Sequence, residues 1–282
     1  MAIDLLAGLR PKAEAAPAAP DSKLPPPEQL TIFAAIAAVL AGLLLLQQRS
    51  TFLLQRDERR GSVSVLCSGH WLPQGDFAGK RTYEVWVLKY SVVWMGAFAV
   101  IIALQLYEAF DAASYFFVCG GLALPLWVQA LRAWPVATHA LRAQLWVAVF
   151  GFIGNYWYTH YFYSVLRAKY TMPSWRLNDV PIAMFFATHF YFCSYHVFAN
   201  LALRKLRTRY APCAARAALF VALVLAMAYA VAFMETLTIS HFPYYDFEDR
   251  DMAYTVGSAF YGIYFIVSFP VHQLVGNAVH PV

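Results

Sequence analysis

The sequence predicts an all-α protein, a polytopic integral membrane helical bundle with six or seven transmembrane helices. Of its 282 residues, 61% are apolar and only 13% are charged, and the mean hydropathy is +0.51. Ordinary soluble domains are less apolar than this. Successive apolar stretches also approach the roughly 20 residues that a helix needs to cross a bilayer. Composition and stretch length together indicate a protein that crosses the membrane several times.

The predicted helices follow one another with short connections. They lie near residues 30–46, 87–107, 112–131, 144–166, 180–203, 214–238 and 252–275. The first is short and follows a Pro/Ala-rich tail, so it is a span, an interfacial helix or part of a targeting segment. We divide the chain into a disordered tail (1–29), an extra hydrophobic segment with a basic loop (30–84) and a transmembrane domain (85–282).

Lysine and arginine residues are unevenly distributed among the predicted loops. By the positive-inside rule, the first, third and fifth loops and the C-terminus face the cytoplasm. The net charge of +5 therefore reflects membrane orientation, and no basic patch interleaved with aromatics indicates nucleic-acid binding. The loop at 167–179 carries three cations on the opposite side. A loop that departs from the rule is a candidate for one that folds back into the protein.

Several common chemistries lack their sequence patterns. There is no nucleotide-binding fingerprint, phosphate loop or hydrolase elbow. The four cysteines are scattered, which is typical of packing residues. The histidines at 160, 189, 196 and 241 are spread along the chain and do not form the clusters that a membrane di-iron site needs. We expect no metal site.

A polar stripe runs along the predicted helix 180–203. His189, Cys193, His196 and Asn200 are spaced i, i+4, i+7 and i+11, so they share one helix face. Such a stripe can line an interior and hold a hydrogen-bond network or a proton donor. Alternatively, each polar side chain simply bonds a neighbouring helix.

Glu235 lies near the end of the helix 214–238, where a solvated carboxylate is not expected. A buried carboxyl group can keep its proton at neutral pH and deliver it to a substrate. The alternative is a salt bridge or a helix-end hydrogen bond. In the acidic loop that follows, Tyr244, Tyr245 and Asp249 are candidates for capping a pocket, whereas the other charges form a solvated face.

Aromatic and polar residues crowd the helix 144–166. Asn155, Trp157, Tyr158 and His160 lie within two turns of one another. Aromatic rings can line a flat hydrophobic substrate and stabilise a developing carbocation. They can equally form a membrane-interface belt, but an asparagine and a histidine among them favour a polar cavity.

The stretch from about Gly79 to Val271 resembles the cycloeucalenol cycloisomerase family of sterol biosynthesis. The shared segments, in order, are GNYWYTHYF, YTMPSWRLNDVP, THFYFCSYH, ANLALRKLR, METLTI, FPYYDFEDR and YGIYFIVSFP. The resemblance implies a multi-pass isomerase of the endoplasmic reticulum membrane. Its substrate would be the sterol cycloeucalenol, whose 9β,19-cyclopropane ring it would open to give obtusifoliol. No cofactor is expected, because the reaction is redox-neutral.

The implied reaction needs a proton donor at C19, a base at C8 and an apolar wall. We expect the acid and base among Glu235, His189, His196 and His160. The expected substrate-binding residues are Asn155, Trp157, Tyr158, Trp175, Asn178, Asn200, Tyr244, Tyr245 and Asp249. Two alternatives stay open: a sterol double-bond isomerase of the emopamil-binding type, and a non-catalytic sterol-binding or transport protein.

Overall fold

The structure is a computed structural model and describes most of the transmembrane part of the chain. The described residues are 69–74, 78–134, 138–210, 212–240 and 242–275, with a few single positions between 34 and 45. The predicted tail 1–29 lies outside them, as does the predicted first helix apart from those positions. Within the described ranges the chain is mostly helical, with four short strands, which confirms the all-α membrane fold.

The helices appear in the order that the hydropathy pattern predicts. They are α1 (Ala78–Ala103), α2 (Ala112–Ala133), α3 (Thr138–Ile153), α4 (Thr159–Ser164), α5 (Ile182–Arg209), α6 (Ala214–Ser240), α7 (Arg250–Met252) and α8 (Ser258–Leu274). Two π-helical segments, Gly154–Tyr158 and Ala253–Gly257, continue α3 into α4 and α7 into α8. A short 3₁₀ turn, Leu106–Ala109, follows α1.

Five helical segments of the described chain are long and apolar enough to cross a membrane. They are Gly79–Ala103, Ala112–Ala133, Ile182–Arg209, Ala214–Ile239 and Arg250–Leu274. The α3–α4 segment packs in the same bundle, and its second half is rich in tyrosine, histidine and asparagine. The protein is therefore a multi-pass membrane protein.

Helix α1 begins at Ala78, earlier than the predicted start near residue 87. The reason is a buried ion pair. Glu84 is fully buried, and the Arg204 guanidinium of α5 donates hydrogen bonds of 2.6 and 2.8 Å to its two carboxylate oxygens. Hydropathy alone marks such a polar turn as a loop, because it cannot show that the charge has a partner.

Helix α5 is the centre of the bundle and contacts α1, α2, α3, α6 and α8. Two side-chain hydrogen bonds fix its register against α8. His196 Nε2 lies 2.9 Å from Ser268 Oγ, and Asn200 Nδ2 lies 3.3 Å from His272 Nδ1. Both pairs are separated by 72 positions, so the two helices run parallel with a constant offset.

Two loops at one end of the bundle are joined by antiparallel strands. Strand β1 (Ala168–Tyr170) pairs with β4 (Tyr245–Phe247), so that Tyr170 lies opposite Tyr245. The residues alternate between buried and exposed along both strands. Their buried side chains point towards the bundle, and the strand pair covers its end.

A hairpin lies beside this strand pair. Strands β2 (Arg176–Leu177) and β3 (Val180–Pro181) are joined by Asn178 and Asp179, whose φ angles are 55° and 60°. Asparagine and aspartate tolerate this left-handed conformation better than other residues with a side chain. The loop at 167–179 folds back onto the bundle, where Asn178 donates a hydrogen bond to the Tyr156 carbonyl.

Candidate active site

A cavity lies between α3–α4, α5, α6 and α7–α8, beneath the β1–β4 strand pair. It contains about 810 Å³ of space free of protein atoms, including the part that opens to the outside. Its lining residues are Gly154, Asn155, Tyr158, Thr159, Tyr161, Phe162, Leu166, Tyr170, Met184, Thr188, Phe192, Glu235, Thr236, Ile239, Tyr245, Phe247, Ala253, Gly257, Tyr261 and Tyr264. The cavity therefore lies within the helices that cross the membrane.

Aromatic rings dominate the wall of this cavity. Nine of the lining side chains are phenylalanine or tyrosine. Several of them stack on one another: the rings of Phe162 and Tyr170 lie 5.2 Å apart, and those of Tyr261 and Tyr264 lie 6.3 Å apart. Such a wall suits a rigid apolar ligand, and its ring faces can stabilise a positive charge.

Glu235 is the one carboxyl group among the described residues that line the cavity, and no lysine, arginine or histidine lines it there. It projects from the last turns of α6. The Tyr261 hydroxyl of α8 donates a hydrogen bond to Glu235 Oε2 over 3.0 Å. A protonated carboxyl group that a phenol holds in an apolar wall can donate its proton to a substrate.

The strand pair supplies the roof of the cavity. Tyr170 and Tyr245 face inwards, and their rings lie 5.0 Å apart. Burial raises the pKa of Tyr170 well above its ordinary value, and the neighbouring Tyr163 and Glu235 side chains raise it further. Burial and Tyr170 likewise raise the pKa of Tyr245. Both phenols therefore stay neutral at physiological pH.

A second polar position lies on the wall formed by α5 and the first π-helical segment. The Thr188 hydroxyl donates a hydrogen bond to Asn155 Oδ1 over 3.3 Å, and Asn155 Nδ2 donates to the Gly151 carbonyl over 2.9 Å. Both side chains are buried and line the cavity. The π-helical winding brings Asn155 to this wall, and such segments are frequent at functional sites.

Gly154, in the same segment, allows a close helix contact. A Cβ atom there would lie 2.5 Å from the Tyr264 hydroxyl. That hydroxyl donates a hydrogen bond to the Phe150 carbonyl, which the π-helical winding leaves accessible. The contact places the Tyr264 ring at the inner end of the cavity.

Four of the residues predicted from the sequence meet at this cavity: Glu235, Asn155, Tyr158 and Tyr245. They come from two separate helical segments and from β4, so only the folded bundle brings them together. Glu235 and Asn155 are the two of them that offer polar groups other than phenols.

The two histidines of the predicted stripe are buried but do not line the cavity. His196 Nδ1 donates to the Phe192 carbonyl over 2.7 Å, and its Nε2 is bonded to Ser268. Both of its ring nitrogens are therefore engaged in helix contacts. His189 stacks on Trp127 of α2, with ring centroids 5.1 Å apart, and its Nε2 has no hydrogen-bond partner in the described part of the chain.

His160 and Asn178 lie together outside the cavity. Asn178 Nδ2 lies 3.2 Å from His160 Nε2 and also donates to the Tyr156 carbonyl. This contact ties the β2–β3 hairpin to α4. Asn200, lower in the bundle, bonds Glu84 over 3.3 Å and belongs to the polar network of the opposite end.

The other predicted binding residues have structural surroundings. Trp157 is 57% exposed on the outer surface of the bundle. The Trp175 ring packs against Phe116 of α2 at 5.4 Å, and Tyr244 packs against the 3₁₀ turn after α1. Asp249 accepts a hydrogen bond from the backbone at the start of α7. The structure places none of the four on the cavity wall.

The sequence pattern missed the α5 face that does line the cavity. Met184, Thr188 and Phe192 are spaced i, i+4 and i+8, one position before the predicted polar stripe. Tyr261 and Tyr264 were likewise not singled out. Their i, i+3 spacing, on the face of α8 that also carries Ser268, is the signal that would have indicated them.

The fold and the cavity define a class, the multi-pass helical membrane proteins with an aromatic cavity, whose described wall here carries one carboxyl group. Over 203 residues, covering 68% of this chain and 72% of the relative, the sequence is 40% identical to cycloeucalenol cycloisomerase of Arabidopsis thaliana. The chain therefore belongs to the cycloeucalenol cycloisomerase family and is an isomerase. No family model and no solved structure matches it.

Proposed function

We propose that this protein opens the 9β,19-cyclopropane ring of cycloeucalenol to give obtusifoliol, in the endoplasmic reticulum membrane. The family membership supports the reaction and the substrate. The observation that carries the proposal is the position of Glu235, the one carboxyl group on the described wall of an aromatic cavity inside the helical bundle. The family resemblance is the basis for the compartment.

In the first step, Glu235 is the acid. Its carboxyl proton is transferred to C19 while the C9–C19 bond breaks, and the electron pair of that bond forms the new C–H bond. C19 becomes a methyl group on C10, and C9 is left with a positive charge. The Tyr261 hydroxyl keeps the Glu235 side chain directed into the cavity.

The cation at C9 needs stabilisation without a nucleophile. Ring faces such as those of Phe192 and Tyr264 supply negative electrostatic potential and form no bond to the cation. The roof residues Tyr170 and Tyr245 are neutral phenols, so neither provides a phenolate that would trap the cation. The apolar wall also limits the access of water.

In the second step, the C8 proton leaves and its C–H electrons form the 8(9) double bond. The Glu235 carboxylate is the base that accepts this proton in our proposal, because neither His189 nor His196 lines the cavity. His196 also has both nitrogens engaged in hydrogen bonds. The cycle leaves Glu235 protonated again, and no atom or electron is gained or lost.

The test is expression of this chain in a yeast strain that has no cycloisomerase of its own. Its membranes are given cycloeucalenol, and the sterols are identified by gas chromatography and mass spectrometry. Obtusifoliol is the expected product. Unchanged cycloeucalenol, with the protein confirmed in the membrane, contradicts the proposal.

A parallel sample receives an 8(9)-unsaturated sterol. Its conversion to a shifted double bond, with cycloeucalenol untouched, would support the emopamil-binding type of isomerase instead. Fractionation of the same cells tests the compartment, because the protein should sediment with endoplasmic reticulum markers.

A further inference from the structure

The Thr188–Asn155 pair is a polar position on the described wall of the cavity, and it takes no part in the proposed proton transfers. We propose that this pair binds the 3-hydroxyl group of the sterol and so sets which ring lies beside Glu235. The inference rests on the proposed function, since it names how the same cavity orients its substrate. It adds Thr188, which no sequence pattern indicated, to the binding residues.

The register of α5 and α8 places the two polar positions at one depth. The offset of 72 positions that joins His196 to Ser268 also places Thr188 level with Phe260. Phe260 is next to Tyr261, which holds Glu235. Thr188 and Glu235 therefore face the same cavity from different helices at about the same distance from its roof.

The chemistry of the substrate matches this arrangement. A sterol alcohol has one polar group, its 3-hydroxyl, and the hydroxyl and the cyclopropane ring both belong to the A/B half of the skeleton. When C19 of the sterol lies beside Glu235, its 3-hydroxyl therefore lies against a nearby part of the wall, at a similar depth in the cavity. A buried hydroxyl without a hydrogen-bond partner is unfavourable, so a polar group is needed there.

Thr188 and Asn155 have hydrogen-bonding capacity to spare. The Thr188 oxygen donates to Asn155 Oδ1 and can still accept a bond. Asn155 Nδ2 uses one of its two hydrogens for the Gly151 carbonyl. The pair can therefore accept the proton of a ligand hydroxyl and donate to its oxygen.

The other threonine of the cavity makes an informative contrast. Thr236 donates to the Ala232 carbonyl over 2.9 Å and accepts a hydrogen bond from Ser258 over 3.0 Å. Its hydroxyl already joins α6 to α8. The two residues have the same chemistry and line the same cavity, so Thr236 is the matched control for Thr188.

The experiment compares cycloeucalenol with its 3-deoxy analogue. Binding is measured by competition with radiolabelled cycloeucalenol on the full chain in detergent, in a Glu235→Gln background that does not consume the sterol. Each substitution, Thr188→Val or Thr236→Val, replaces a hydroxyl by a methyl group of the same shape. The readout is the ratio of the two affinities, which a general loss of folding does not change.

We expect the parent protein to bind the alcohol about tenfold more tightly than the deoxy analogue, the value of one good hydrogen bond. Thr188→Val should bring this ratio close to one, and Thr236→Val should leave it unchanged. The inference is overturned if the affinity ratio is unchanged in Thr188→Val or falls to one in Thr236→Val. It is also overturned if the parent protein does not prefer the alcohol. Failure to convert cycloeucalenol contradicts the proposed function separately, because the binding ratio does not depend on turnover.

Discussion

Tyr261 of α8 donates its hydroxyl hydrogen bond to Oε2 of Glu235 on α6, over 3.0 Å, at the wall of the cavity. The bond joins two helices that pack along most of their length. It engages one carboxylate oxygen of a side chain that lines the cavity. In the proposed reaction, this carboxyl group carries the proton that reaches C19, and the phenol prevents the side chain from rotating away.

Replacing Glu235 by glutamine should abolish turnover while the protein still folds. The amide keeps the shape of the side chain but has no proton to give at C19, and general acids contribute about 10²–10⁴ in rate. Conversion of cycloeucalenol in yeast membranes measures the effect. Glu248→Gln is the control, because Glu248 is exposed and paired with Arg167. Comparable activity of the two variants would exclude Glu235 as the acid.

Replacing Tyr261 by phenylalanine should lower kcat by about tenfold, since it removes a hydrogen bond that becomes charge-assisted when Glu235 gives up its proton. The ring stays in the wall, so KM for the sterol should change little. Tyr229→Phe is the control, because Tyr229 lies on α6 outside the cavity lining. A change in KM with unaltered kcat would show that Tyr261 only shapes the wall.

Isotope incorporation should report the carbon that receives the proton. The enzyme is equilibrated in deuterated water and used in excess over cycloeucalenol, so that each molecule turns over once. The product should carry one deuterium, located in the C19 methyl group. Deuterium at any other carbon, or none at all, would rule out protonation of C19 by an exchangeable acid.

Breaking the Glu84–Arg204 pair should destabilise the protein without changing its chemistry. Glu84→Gln leaves a largely buried guanidinium without its carboxylate, and removing one partner of a buried pair costs about 3–5 kcal/mol. We expect a lower thermal midpoint in detergent and normal turnover per folded molecule. Glu248→Gln, which breaks an exposed pair, should leave the midpoint nearly unchanged. Equal midpoints in the two variants would contradict the prediction.

The β2–β3 turn should tolerate glycine but not a β-branched residue. Asp179 has a φ of 60°, and a left-handed backbone costs a residue with a side chain about 1–2 kcal/mol. Asp179→Val should therefore lower the thermal midpoint, whereas Asp179→Gly should preserve it. Asp246→Val makes the same chemical change in the extended strand β4 and should have little effect. Equal losses at both positions would show that turn geometry is not the cause.

The helices could be predicted because the bilayer imposes one length and one polarity on every span. The start of α1 could not, because Glu84 is acceptable inside the bundle only with Arg204, which lies on α5. The pairing of β1 with β4 also escaped the sequence pattern. It joins Tyr170 to Tyr245, and no local periodicity shows a contact between positions so far apart.

The candidate site could be predicted only in part, for a geometric reason. Glu235 and Asn155 are polar groups in apolar surroundings, which the sequence shows directly. The stripe of His189 and His196 correctly indicated buried positions, but periodicity does not tell which neighbouring helix a face meets. The cavity lies on the adjacent face, where Thr188 has few features that distinguish it from an ordinary helix residue.

The β1–β4 strand pair also sets an order of assembly during synthesis. Strand β1 leaves the ribosome before α5 and α6, and β4 leaves only after both of them. The roof over Glu235 therefore cannot close until two further helices have entered the bilayer. Until that moment the carboxyl group has no complete cavity around it, so its reactive environment forms only after α5 and α6 have been synthesised.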